Sequence, residues 1–323
     1  MTQSLMLTKT LATLDSDSRH LLTDILPNYS PHAGMSAHEM RTLALALARK
    51  VQGPPPEVAR VFDTIVENGD YAVALRVYNP APEKRPGCLV WLHGGGFVTG
   101  GLDAHDILCR RLAAGSGQAV VSVDYRLAPE HPFPAALNDS YAALAWVARS
   151  AEVIGMRLGA LAVGGSSAGA NLAAAACLMA REAGGPAIIR QVLVYPVLDA
   201  EMSHPSYLTC GNGYQLTAAM MAAYIDAYAP NGTDRTNPLL SPLHAPSLAG
   251  LPPAHIVVAD CDPLHDEVCA YAVKLKRNGV AVIQSNFIGV MHGFFGQAGV
   301  LSQARVAQKA VCDDLAEHLQ SSD

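Results

Sequence analysis

From about residue 70 onward, short apolar runs alternate with stretches of helical length. The runs are YAVALRVY (71–78), CLVWLH (88–93), AVVSVDY (119–125), LAVGG (161–165), RQVLVYPV (190–197), HIVVAD (255–260) and AVIQSNF (281–287). Runs apolar at nearly every position suit strands buried on both faces, and the amphipathic or alanine-rich segments between them supply covering helices. The expected fold class is therefore α/β, a mainly parallel central sheet with helices on both faces. The 323 residues suffice for one large domain of this kind or two small ones.

Composition narrows the function. Half the residues are apolar, 15% are charged and the formal net charge is −6. That is a folded globular chain, and without a Lys/Arg run it offers nucleic acid no footprint. Seven cysteines (88, 109, 177, 210, 261, 269 and 312) include no CxxC pair. An odd count without metal-site spacing is expected of reduced thiols in a reducing compartment. The opening MTQSLMLTKTLATLDSDSRH lacks a basic segment followed by a long apolar run, and no stretch approaches the roughly 18 apolar residues of a membrane span. The expected location is cytoplasmic, with no membrane partner.

Residues 1–50 read as helical. In AHEMRTLALALARK, Met40, Leu43, Ala44 and Leu47 share one helical face, and GPPP at 53–56 stops the helix. Farther on, TAAMMAAYIDAYAPNG begins at Thr217, a candidate N-cap, and carries a stripe of Met221, Tyr224, Ile225 and Tyr228. Such a stripe either packs on the core or roofs a pocket, and spacing alone favours the core.

In GGSSAGAN (164–171) two serines stand side by side. Ser167 has Gly165 two before it and Gly169 two after, whereas Ser166 has Gly164 before and Ala168 after. A nucleophile elbow is a tight, strained strand-to-helix turn in which a Cβ two positions away on either side collides with backbone. That selects Ser167 over Ser166. The buried run LAVGG precedes it, and AGANLAAAACLMAREAGG after it is a strong helix former ended by Gly184 and Gly185. Ser167 then sits at a helix N-terminus, where positive partial charge favours a developing anion. The bland alternative is an ordinary small-residue turn.

HGGGF (93–97) follows the run CLVWL directly. Three consecutive glycines let backbone N–H groups face a cavity without side-chain obstruction, which suits an oxyanion hole. The alternatives are a flexible turn or a phosphate cradle, and the latter lacks its Gly-Lys-Ser/Thr. HGGG one βαβ unit upstream of G-x-S-x-G is far more specific than either motif alone. Acid and base should then follow in the order Ser, Asp/Glu, His. Of the six later histidines (204, 244, 255, 265, 292 and 318), His292 lies in the glycine-flanked loop GVMHGFFG after an apolar run, where a catalytic imidazole belongs. For the acid, spacing leaves Asp260, Asp262 and Asp199 level.

Together these motifs resemble the hormonesensitive-lipase-like family of α/β-hydrolases, which includes bacterial family IV carboxylesterases. The likeness spans about residue 70 to the C-terminus and rests on HGGGF, DYRLAPEHPFPAALND (124–139), GSSAGANLA (165–173), YPVLD (195–199), NPLLSPL (237–243), LPP (251–253), DPLHDE (262–267) and HGF (292–294). The resemblance implies that Asp262, opening the DPL motif 30 residues before His292, completes a triad with Ser167 and His292. It implies an oxyanion hole from Gly95, Gly96 and Gly94 with Ala168. It also implies that His93, Tyr125, Arg126, Pro129, Glu130 and Asp139 hold that loop, and that Asp199 is structural. Two positions depart from the family pattern: Ser166 stands where Asp or Thr is usual, and His265 where Arg is usual after DPL. The resemblance further implies a helical cap from residues 1–50 with an insertion near 200–235, on a catalytic domain of residues 51–323.

The expected function is a serine carboxylesterase acting on short- to medium-chain esters through an acyl-enzyme, with no metal or organic cofactor. The rival is a ligand-binding receptor on the same scaffold. The plant hormone receptors that resemble it lack the histidine, whereas this chain retains Ser167, Asp262 and His292. An amidase or lipase variant is the other alternative. Candidate pocket residues are Phe97, Tyr195, Tyr214, Met220, Met221 and Tyr224. The run AVIQSNF is a candidate exposed edge for a homodimer.

Overall fold

A computed structural model describes residues 10–31 and 34–319; residues 1–9, 32 and 33 of the expected helical N-terminal segment lie outside it. All seven apolar runs form strands: β2 (Tyr71–Asn79), β3 (Cys88–Leu92), β4 (Ala119–Asp124), β5 (Leu161–Ser166), β6 (Arg190–Val194), β7 (Ala254–Cys261) and β8 (Val282–Met291). An eighth, β1 (Arg60–Asn68), was not expected. Its sequence RVFDTIVEN alternates polar and apolar residues, because it lies at the sheet edge and is buried only at Val66. It pairs antiparallel with β2 along its whole length, Asn68 opposite Tyr71.

The sheet order is β1-β2-β4-β3-β5-β6-β7-β8, with β3 to β8 parallel and β2 antiparallel to β4. The central strands β3, β5 and β6 are buried at every position. Alternate side chains feed two cores. Leu89, Trp91 and Val120 pack with α2 (Leu102–Ser116) and the C-terminal helix Ser302–Leu319. Val90, Leu92, Val121 and Val163 pack with α3 (Ala135–Ser150), α4 (Ala168–Ala183) and the helix His265–Arg277. Each such side chain, fully buried, contributes about 1.5–3 kcal/mol.

The N-terminal segment lies over the carboxyl ends of the strands. Its main helix, α1 (Ala37–Val51), starts in a capping box of Ser36 and Glu39. Asp15 N donates to Gly289 O at 2.9 Å, tying the segment to β8. The helix Ala218–Tyr228 is capped by Thr217, whose side chain accepts from Met220 N. Its stripe does two things: Met221, Ile225 and Tyr228 are buried in the core, while Met221 and Tyr224 also line a cavity. At the far edge, Ile283 and Ile288 of β8 are exposed. No helix among the described residues is long and apolar enough to cross a membrane.

Candidate active site

Four loops at the carboxyl ends of β3, β5, β7 and β8 meet beneath the N-terminal segment. The sharpest turn follows β5. Ser167 has φ 56° and ψ −118°, strained for a residue with a Cβ, and α4 begins immediately after it; such a conformation costs on the order of 1–3 kcal/mol. The flanking glycines show why the turn tolerates nothing larger. A Cβ at Gly165 would strike Leu92 O and Gly169, and one at Gly169 would strike Leu92 O and His93 O. Ser166, one residue earlier, is the last residue of β5, its hydroxyl against Gly94.

His292 follows β8 directly. Its Nε2 lies 2.9 Å from Ser167 Oγ and its Nδ1 2.7 Å from Asp262 Oδ2. Asp262 Oδ1 accepts from Leu264 N at 2.9 Å, which fixes the carboxylate plane. A carboxylate facing Nδ1 places the proton there, so the Nε2 lone pair faces the serine hydroxyl. The other acids have different partners. Asp260 Oδ2 accepts from Gly289 N at 3.4 Å. Asp199 accepts from Ser203 Oγ at 2.6 Å and pairs with His244 Nε2 at 3.0 Å. Burial opposes ionisation of Asp199, but these hydrogen bonds outweigh it and hold its carboxyl below the usual range. Glu267, wholly buried, accepts from Leu198 N at 2.7 Å; burial above all, then the nearby Asp199 and Asp262, pushes its carboxyl well up, so it stays neutral.

The glycine loop is held by its carbonyls. His93 Nδ1 lies 2.9 Å from Gly94 O, and burial pushes that ring's pKa down to about 4, leaving a neutral donor. Gly95 O accepts from Val98 N at 3.1 Å and Thr99 N at 2.9 Å. In a trans peptide the N–H points opposite to the C=O. Fixing the two carbonyls therefore fixes the N–H groups of Gly95 and Gly96 on the other side. Among the described residues, neither these amides nor that of Ala168 at the start of α4 has an acceptor within the protein. Tyr125 OH donates to His93 O at 2.6 Å, and Asp139, wholly buried, takes a bidentate grip from Arg126 at 2.7 and 2.8 Å. After DPL, His265 pairs with Asp266 at 3.0 Å; its contacts with Cys269 and Asp266 overcome burial and raise its pKa to about 9, so a cation stands there despite the missing Arg.

A cavity of about 240 Å³ opens onto Ser167 and His292, bounded by Gly94, Gly95, Gly96, Tyr195, Met220, Met221 and Tyr224. The Tyr195 ring lies 4.6 Å from the His292 ring. Two expected pocket residues lie elsewhere. Phe97 is wholly buried and stacks on Tyr228 at 3.9 Å, because its backbone turns through φ 64° and the ring packs in the core. Tyr214 lines the neighbouring groove, its hydroxyl 2.9 Å from Thr13 Oγ1. Leu47 and Val51 of α1, Gln52 at its end, His105 of α2 and Gln297 also line the cavity. Leu47 belongs to the apolar face of α1, which was the available signal; the polar residues left none.

The α/β-hydrolase fold model matches residues 89–296. The chain belongs to the α/β-hydrolase family. Within the α/β-hydrolases it is a hormone-sensitive-lipase-like member. It is 42% identical over 257 residues to the esterase LipI of Mycobacterium tuberculosis, covering 78% of this chain and 80% of that protein. It is 36% identical over 297 residues to the ethyl acetate hydrolase of Pseudomonas putida, covering 90% and 92%. Among solved α/β-hydrolases, an enzyme from the metagenome of Lake Arreo, Spain, superposes with a TM-score of 0.91 at 37% identity, over 95% of this chain and 99% of that one. The Pyrobaculum calidifontis esterase superposes with a TM-score of 0.87 at 37% identity, over 94% and 98%.

Proposed function

We propose that this α/β-hydrolase is a serine carboxylesterase that cleaves short- to medium-chain carboxylic esters, with Ser167, His292 and Asp262 as its triad. The observation that carries the reading is the unbroken hydrogen-bonded line from Asp262 through His292 to Ser167 Oγ. Ser167 attacks the ester carbonyl as His292 Nε2 takes its proton, and Asp262 orients the ring and stabilises the imidazolium. The carbonyl oxygen, now an oxyanion, receives the N–H groups of Gly95, Gly96 and Ala168, with Gly94 backing the loop. His292 then protonates the leaving alcohol. Water, activated by the same imidazole, hydrolyses the acyl-enzyme and regenerates Ser167. The curated relatives named as esterases support this reading over a receptor.

The N-terminal segment and the insertion near 200–235 act as the cap that bounds the ester-binding cavity, which is apolar at Met220, Met221 and Tyr224. The exposed edge of β8 is the surface for a homodimer, and the working location is cytoplasmic. The test is stoichiometric labelling by an organophosphate with the adduct mapped by mass spectrometry, alongside rates for aryl esters of increasing acyl length. A single adduct on Ser167 and a rate maximum at short to medium chains are expected. Turnover without labelling at Ser167 contradicts the assignment.

A further inference from the structure

Arg41 lies on α1, in a segment that carries no motif, yet its guanidinium makes four hydrogen bonds. Nε donates to Val98 O at 2.8 Å, and Nη2 donates to Ala128 O at 3.0 Å. Nη1 and Nη2 grip the Glu130 carboxylate at 2.9 and 2.6 Å. Both backbone carbonyls belong to the frame of the glycine loop. Val98 N closes the turn onto Gly95 O at 3.1 Å, and Ala128 N donates to Phe97 O at 2.9 Å.

That frame has a mechanical problem. Gly95 and Gly96 have φ of 126° and 61°, and glycines with so many accessible conformations do not hold a peptide plane by themselves. The bearing of the Gly96 N–H is set by where Gly95 O is pinned, and the pin is the turn through Val98 and Thr99. A planar guanidinium can hold two carbonyls and a carboxylate at once, whereas a lysine ammonium cannot reproduce that fork. Arg41 and Glu130 are partly exposed, with side chains 28% and 52% accessible, and ion pairs of that exposure add little to stability. Their effect therefore falls on loop geometry more than on folding.

We propose that Arg41 is a positioning residue for the oxyanion hole: by clamping the carbonyls of Val98 and Ala128 against Glu130, it holds the Gly96 amide at the bearing the oxyanion needs. This inference rests on the serine-esterase reading. It makes the helix α1 part of the catalytic apparatus although no residue of that helix touches the reacting atoms through this contact.

The experiment compares wild type with Arg41→Met, Arg41→Lys and Glu130→Ala, using an aryl butyrate and an organophosphate. Losing a whole oxyanion donor costs about 10²–10³ in rate, so a loosened one in Arg41→Met is expected to lower kcat about tenfold. KM should stay within about twofold, because the ground-state ester does not draw on the displaced amide. The organophosphate labelling rate should fall in parallel, millimolar guanidinium should restore part of kcat, and Arg41→Lys should stay impaired. An unchanged kcat, or a fall in melting temperature with kcat intact, overturns the proposal. If Arg41→Met does not fold, Glu130→Ala decides: a lower kcat at constant KM supports the clamp, and a wild-type kcat overturns it. Failure of the wild type to label or turn over sinks the esterase reading instead. An active wild type with unaffected variants sinks only the clamp.

Discussion

His292 Nδ1 lies 2.7 Å from Oδ2 of Asp262, a carboxylate with only 1% of its side chain exposed. A charge this deeply buried orients the ring and meets the imidazolium without competition from water. Asp262→Asn keeps the shape but presents an amide that can donate to Nδ1, which favours the wrong tautomer. Steady-state kinetics on an aryl butyrate should show kcat lower by about 10⁴-fold with the fold retained by circular dichroism. Asp199→Asn should leave most of the turnover, since that carboxylate is spent on Ser203 and His244.

Glu267 supplies a pH prediction. Its carboxyl is raised well above the usual 4.5, so between that value and its folded pKa the folded chain holds a proton that the unfolded chain has released. The unfolded state binds fewer protons there, and stability falls as pH rises through that window, by up to about 1.4 kcal/mol per unit. Below 4.5 both states are protonated and this cost is absent. Glu267→Gln keeps an acceptor for Leu198 N and removes the ionisation. Its melting temperature should exceed that of wild type at pH 8 and match it near pH 4. Equal melting curves at both pH values would show that Glu267 is not held neutral.

Tyr224 packs its ring against Gly96, where a Cβ would meet it, and it lines the cavity beside Met220 and Met221. Trimming it to alanine lengthens the space available to an acyl chain. Each further methylene buried is worth about 0.8 kcal/mol, or roughly fourfold in kcat/KM. Tyr224→Ala should therefore raise the octanoate-to-butyrate ratio of kcat/KM by at least about fourfold. Phe97→Leu, a change within the core, should lower the melting temperature and leave that ratio unmoved.

The parts of this protein that were legible in its sequence share a physical cause. The central strands β3, β5 and β6 are buried at every position because two cores need them, so their apolar runs stand out, and the strands beside them are apolar enough to follow; β1 is a polar edge and does not. Gly165 and Gly169 mark the elbow because backbone oxygens occupy the space of a Cβ, a constraint that local spacing records directly. The partner of His292 was not legible in that way. Asp260 lies at the end of β7, Asp262 just past it and Asp199 in the loop after β6, and which one meets the imidazole depends on long-range geometry, including the register irregularity of β7 against β8 between Ala259 and Cys261. Resemblance, not spacing, singled out Asp262. Phe97 was misplaced for a related reason: proximity to Gly96 in sequence does not reveal that φ of 64° sends its ring to Tyr228. Arg41 left no trace because its partners are 57 and more residues away and two of them are backbone carbonyls.

Which of two adjacent hydroxyls reacts decides the chemistry, and the measurement that separates them is kcat on a small aryl ester for Ser167→Ala and Ser166→Ala, each with its melting curve. Ser167→Ala should lose turnover by about 10⁵-fold or more while remaining folded, and Ser166→Ala should stay within about tenfold of wild type. The reverse order, with Ser166→Ala silent and Ser167→Ala active, would contradict it.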